Sequence, residues 1–336
     1  MSLFTPHINL GKYSCADVAR WSKTNIVVLY VSIKDNKIVY GRTIYYNPNM
    51  DQWWSDRGTY VIKMIERTLT KHKIPNVEIL VNVMDKPMNN PYYLQFSRTT
   101  NFNSHVLPNF TFYKWFSNLP FFMEIKEDFI KNNVVWEDKI DKIMWAGNNS
   151  ATIRLKLNEF ATNSKYDRYY YNLLDNGGTF VNLIDHGKYK YLLDMEGIGY
   201  SGRVPYLLLT GSCVIILENE EPDFDYKLYY ENVFIEDIHY LKVKYNINDS
   251  VDTINDKILN KIANTDCKTI GKKSLELAKE YFTDDKIDQY IAEVLTYYAS
   301  LYEVSDTVYN PDIVFSRNLS TTVNKNIQLN KFKKYK

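Results

Sequence analysis

Apolar and β-branched residues dominate Asn25 to Ile33 and again Lys37 to Tyr46, and the polar triplet Lys34-Asp35-Asn36 between them predicts a β-hairpin. The period then changes. Val61, Met64, Ile65 and Thr68 recur at helical spacing within Thr59 to Leu69, Pro75 follows as a breaker, and Val77 to Val83 reads as an apolar strand. That step ends on Asn82-Val83-Met84-Asp85, which places Asp85 at the carboxyl end of a strand, where open α/β sheets put ligands. Residues 86 to 135 are rich in Asn, Pro and aromatics, have weak periodicity, and predict long loops over a cleft. A second series runs from a strand at Lys142 to Trp145 and a helix at Thr152 to Ala161 to a strand at Tyr189 to Leu193. A glycine turn, a helix over Tyr200 to Leu209 and a buried strand at Cys213 to Leu217 come next. Helices are predicted over Ser250 to Ala263, Thr269 to Tyr281 and Lys286 to Leu301, the last with Ile287, Tyr290, Ile291, Val294, Leu295 and Tyr298 on one stripe.

Alternating strands and helices in both halves give the fold class α/β, with two layers facing each other across a cleft. Periodicity alone does not separate two lobes from one large doubly wound sheet. The 336 residues and 45% hydrophobic content supply a sizeable core, and a net charge of +1 leaves no electrostatic footprint for nucleic acid. The end of the chain is the exception: after Asp312 come Arg317, Lys325, Lys331, Lys333, Lys334 and Lys336 without an acid, read as a solvated basic arm. Cys15, Cys213 and Cys267 are odd in number, distant in sequence and without metal-ligand spacing, so no disulfide framework or zinc site is expected and a reducing, cytoplasmic location fits. No run reaches the length of a membrane span and the first residues do not have the form of a signal peptide. Abundant Asn, Lys, Ile and Tyr match an AT-rich coding genome, as in a microbe or a large virus.

The densest chemistry lies in Lys188 to Leu217, where a strand, a turn carrying Gly197 and Gly199, a helix start and a second strand follow one another. Such a unit presents main-chain N–H groups to an anion, and Arg203 in the first helical turn offers a planar fork to a diphosphate. Here Lys188, Tyr189, Asp194, Gly197, Ser201, Arg203, Gly211 and Ser212 meet a pattern that resembles the nucleotide-sugar half of glycosyltransferase family 90, the family of Rumi-like protein O-glucosyltransferases and fungal capsule xylosyltransferases. Two further blocks resemble that family in the same order: VNVMDKP, Val81 to Pro87, and WAGNNSATIR, Trp145 to Arg154. The similarity covers roughly residues 75 to 300.

The resemblance implies a GT-B fold, two Rossmann-like lobes across a cleft, with residues 1–140 as an acceptor lobe, 141–305 as a nucleotide-sugar lobe and 306–336 as the basic tail. It implies an inverting transfer from a UDP-sugar, xylose favoured over glucose, to a hydroxyl of a glycan or glycoprotein. Asp85 would be the base, while Arg203 and Arg154 would hold the diphosphate. Gly147 and Ser150, Ser201 with Gly197 and Gly199, and His239 in Ile238-His239-Tyr240-Leu241 are the remaining candidates for the donor. Asp194 and Glu196 precede the turn and are read first as caps of main-chain amides. No metal or other cofactor is expected: Asp223-Phe224-Asp225 has D-x-D spacing, but the family resembles metal-independent enzymes, so this is read as a surface loop. Trp115, Phe116, Phe121 and Phe122 are candidates for an apolar platform under a sugar or for core. The competing reading is a non-catalytic glycan-binding protein of the same fold. A P-loop or dinucleotide-binding enzyme is disfavoured because neither G-x-x-x-x-G-K-(S/T) nor G-x-G-x-x-G after a strand is present.

Overall fold

Two sheets of opposite character carry the molecule, and the computed structural model describes residues 2–6, 8–22, 27–44, 52–115 and 119–303 of them. Near the N-terminus a two-residue strand, β1 (Tyr13–Ser14), leads into α1 (Cys15–Trp21), capped by Ser14 with Asp17 returning the bond to the Ser14 amide. The hairpin follows as β2 (Val28–Lys34) and β3 (Lys37–Ile44), paired antiparallel. Asp35 and Asn36 both have positive φ, the conformation a two-residue hairpin turn requires. A twenty-residue helix, α2 (Gln52–Lys71), then delivers the chain to β4 (Val77–Asn82), which pairs antiparallel with the other edge of β2. In this lobe β2 lies between β3 and β4, and both β2 and β4 are buried along nearly their whole length. The predicted loops of 86–135 hold one helix, α3 (Phe122–Lys131), whose Phe122, Ile125 and Phe129 are buried.

The second lobe is a five-stranded parallel sheet in the order β6-β5-β7-β8-β9. It is built from β5 (Ile140–Gly147), α4 (Thr152–Lys156), α5 (Glu159–Thr162), β6 (Tyr169–Leu173), α6 (Leu183–His186), β7 (Tyr189–Met195), α7 (Val204–Leu208), β8 (Cys213–Asn219) and β9 (Leu241–Tyr245). The strand order reverses between β5 and β7, so their carboxyl ends form a topological switch point, the place where such sheets bind ligands. After α8 (Val251–Ala263) and α9 (Cys267–Tyr281), capped by Ser250 and Asp266, the chain crosses back. Helix α10 (Asp284–Leu301) packs on α2, with the fully buried Asp288 accepting from Arg67 Nε at 2.8 Å and Lys71 Nζ at 2.7 Å, and β10 (Tyr302–Glu303) pairs with β1. The last helix of the range 141–305 therefore belongs in space to the first lobe, and the tail 306–336 lies outside the described residues.

The α/β class with two lobes holds. The second lobe is doubly wound as the resemblance implied, whereas the first reaches the class with an antiparallel sheet. Asp85 is thus not placed by the carboxyl end of a parallel strand; another device holds it. The three cysteines are free and buried. Cys213 at the start of β8 and Cys267 at the start of α9, distant in sequence, share a thiol hydrogen bond in the second lobe's core, which pushes the Cys213 thiol up. No described helix is long and apolar enough to cross a membrane.

Candidate active site

Asp85 sits three residues beyond β4 and is half-buried. Its carboxylate is fixed by Arg57 of α2, which is 4% exposed and donates from Nη1 to Asp85 Oδ1 at 2.8 Å and to the Val83 carbonyl at 3.1 Å. The guanidinium carbon lies 4.5 Å from the ring centroids of both Trp54 and Phe110. A planar cation between two aromatic faces loses little on leaving water and can turn only within its plane, so the acid it holds has one orientation. Sequence reasoning missed Arg57. It lies 28 residues from Asp85 on a helix whose pattern reports only its apolar stripe.

Across from Asp85 stands the glycine turn after β7. A Cβ built on Gly199 would fall 2.1 Å from the Asp85 carbonyl oxygen, so only glycine lets the two main chains meet. Gly197 makes a looser approach, to side chains rather than main chain, its Cβ position lying 2.9 Å from Ser150 Oγ and 3.3 Å from Arg154 Nη2. These contacts bring Asp85, the turn and the β5–α4 loop together.

Arg154 is consumed by that junction. It donates from Nε to the Glu196 carbonyl (2.9 Å), from Nη1 to Asn148 O (3.2 Å), Asn148 Oδ1 (3.1 Å) and Ser150 Oγ (2.8 Å), and from Nη2 to Met195 O (3.2 Å). Burial, with Arg203 nearby, lowers its pKa to about 10. The arginine expected to hold a diphosphate instead ties the ends of β5 and β7 to each other.

Arg203 caps α7, a helix of five residues rather than the ten expected, so its dipole adds little and the side chain carries the positive charge. It is 8% exposed; Nε donates to Asp194 Oδ1 at 2.9 Å and Nη1 to the Ala146 carbonyl, while Nη2 is buried with no partner. Asp194 caps no amide: it accepts from Arg203 and from Ser201 Oγ at 2.8 Å. Trp145 lies beneath both arginines, its centroid 5.5 Å from the Arg154 and 5.4 Å from the Arg203 guanidinium, and stacks on Tyr171. Gly147 ends β5 directly above this cluster.

Two cavities flank the turn. One of about 370 Å³ opens at the switch point and is lined by Lys86, Ser150, Thr152, Gly197, Asn219 and Tyr245 among others. A smaller one of about 100 Å³ lies between β7–β8 and residues 224–240, with Ser201, Tyr200, Tyr226 and Tyr230 in its wall. His239 is not brought to either cavity: its Nδ1 accepts the Ile235 amide at 3.0 Å and its ring packs edge-on to Phe234. The D-x-D pair ties loops together, Asp225 accepting from Thr100 N at 2.9 Å and Asp223 from Asn101 Nδ2 at 2.5 Å. Among the described residues no group of three or more His, Cys, Asp or Glu is arranged to hold a metal. Of the aromatic platform, Phe122 is core and Trp115 stacks on Tyr206, Phe121 is exposed, and Phe116 lies outside the described residues.

Comparison with known proteins now adds to this geometry. The family model described as Glycosyl transferase family 90 matches residues 16–327. Protein O-glucosyltransferase 1 of Rattus norvegicus is 24% identical over 278 residues, 74% of this chain and 67% of that protein; in the Danio rerio Protein O-glucosyltransferase 2 the match is 24% and spans 49% of its length. Uncharacterized protein 179R of Invertebrate iridescent virus 6 is 23% identical over 141 residues, 40% of this chain and 11% of that protein. The chain thus spans from about a tenth to two thirds of these relatives. A glycosyltransferase from Rickettsia africae ESF-5 aligns with 62% of this chain and 57% of its own at 12% identity and TM-score 0.34, too remote a likeness to carry an argument.

Proposed function

The chain belongs to glycosyl transferase family 90, and from that premise we propose that it transfers a sugar from a UDP donor to a hydroxyl of a glycan or glycoprotein, with inversion and without a metal. The observation that carries the proposal is the contact of Asp85 with the Gly199 turn, its carboxylate locked by Arg57, beside a cavity at the switch point of a doubly wound sheet.

In this reading the UDP lies in the 370 Å³ cavity with its diphosphate on Ser150 in that wall, and extends toward the unpartnered Nη2 of Arg203, which stands outside that wall and is held by Asp194 of the smaller cavity. Asp85 takes the proton of the acceptor hydroxyl as its oxygen attacks the anomeric carbon from the face opposite the diphosphate, and UDP departs as an anion stabilised by Arg203. Arg57 is a positioning residue that keeps the base in one rotamer. For the donor this reading takes glucose ahead of xylose, a choice supported by the relatives' name O-glucosyltransferase, and the two sugars differ by one CH₂OH group that a single side chain can discriminate. The test is UDP release by the purified chain from UDP-glucose, UDP-xylose and GDP-sugars, with and without EDTA. Release from a UDP-sugar that survives the chelator is expected; release only with added divalent metal, or from none of the donors, contradicts it.

A further inference from the structure

The two cavities that flank the glycine turn share two lining residues, Glu196 and Phe224. A donor made of a nucleoside diphosphate and a sugar has two parts joined at one bond, and the cavities differ as those parts do. The larger opens at the switch point; the smaller has room for one small ring and is walled by the aromatic side chains of Tyr200, Phe224, Tyr226 and Tyr230 together with carboxylates. Its wall residue Tyr200 directly follows Gly199, whose Cβ position falls 2.1 Å from the Asp85 carbonyl oxygen, so the cavity lies on the side of the turn that meets the base.

The carboxylates of the smaller cavity are not equivalent. Asp194 pairs with Arg203, Glu218 with Lys242 at 2.7 Å, and Glu231 with Arg98. Glu196 has no ion pair among the described residues; the Tyr245 hydroxyl donates to its Oε1, and Arg154 reaches only its main-chain carbonyl. Burial accordingly pushes its carboxyl above the usual range. A half-buried carboxylate without a cation repels an anionic group and accepts hydrogen bonds from hydroxyls, while aromatic walls suit the C–H face of a pyranose or pentose.

We propose that the smaller cavity seats the donor's sugar ring and that Glu196, at its junction with the larger cavity, is the residue that reads a sugar hydroxyl and restricts the donor to neutral sugars. This rests on the reading of the chain as a UDP-sugar transferase. The experiment titrates UDP, UDP-glucose, UDP-xylose and UDP-glucuronate into the full chain and its Glu196→Gln variant, with melting curves to verify folding. Wild type is expected to bind a neutral UDP-sugar at least about tenfold more tightly than UDP-glucuronate, and Glu196→Gln to close that gap to about twofold, the ratio of the two affinities being the readout because Glu196 also borders the cavity given to UDP. An unchanged gap in a folded variant, or equal binding of UDP-glucuronate by wild type, overturns the inference and leaves the transferase reading standing. Binding of no UDP-sugar overturns both. Should Glu196→Gln fail to fold, Tyr245→Phe retains the carboxylate and removes only its donor; the gap should then persist while UDP-glucose weakens about threefold, and loss of the gap would contradict the role.

Discussion

Two arginine–carboxylate pairs face each other across the glycine turn, and they do opposite things. In the first lobe, Arg57 is buried and turns its Nη1 onto the Asp85 carboxylate and the Val83 carbonyl while Asp85 stays partly exposed, so the cation serves the acid. In the second lobe Asp194 is buried and takes the Nε of Arg203, leaving Nη2 unpartnered, so the acid serves the cation. The same two residue types thus prepare a base on one side and an anion donor on the other. Arg154, close to the second pair, serves neither purpose and holds the backbone.

The largest effect expected from this contrast is at Asp85. Asp85→Asn keeps the Arg57 contact and removes the base; transfer should fall by about 10²- to 10⁴-fold in an acceptor-dependent UDP-release assay. Arg154→Ala should act on the fold, leaving the carbonyls of Met195 and Glu196 and the Asn148 and Ser150 side chains without a donor. A loss of about 3 kcal/mol in denaturant unfolding is expected. Gly199→Ala pushes a methyl into the Asp85 carbonyl and should cost about 10²-fold in transfer with a smaller change in UDP affinity, since displacement of a reacting group by about 1 Å is enough. The smallest effect is on pH dependence. Burial, helped by Arg203, lowers the His186 pKa from 6.5 to about 4. The unfolded chain then binds the proton that the folded chain refuses, so stability is complete above about pH 6.5 and falls as pH drops toward 4, by about 2 kcal/mol at pH 5. His186→Asn should remove that slope from melting curves taken across the window.

Periodicity made much of the frame legible. The stripe on α10, the apolar runs of β7 and β8 and the Asp35-Asn36 turn each follow from local chemistry, and the structure has them within a few residues. Local chemistry also explains the overreach at α7: Tyr200 and Ser201, counted as helical, turn to the smaller cavity, and Ser201 bonds Asp194. In α3, Phe122, Ile125 and Phe129 carried a helical signal that the surrounding Asn- and Pro-rich loops obscured. What the chain could not display in one dimension is partnership. Arg57 meets Asp85 through the packing of α2 on the sheet, Cys213 meets Cys267 through α9, and Arg154 spends its donors on main-chain carbonyls that have no sequence signature. His239 shows the converse, a motif-like residue whose local surroundings already satisfy it.

The contrast between the two pairs is tested most directly by titrating UDP calorimetrically into Asp85→Asn and Arg203→Ala. The account predicts wild-type affinity in Asp85→Asn and a loss of about 1.5 to 3 kcal/mol in a folded Arg203→Ala, the worth of a hydrogen bond to a charged group. Equal affinities in the two variants, or a loss confined to Asp85→Asn, would contradict the assignment of base to one lobe and donor to the other.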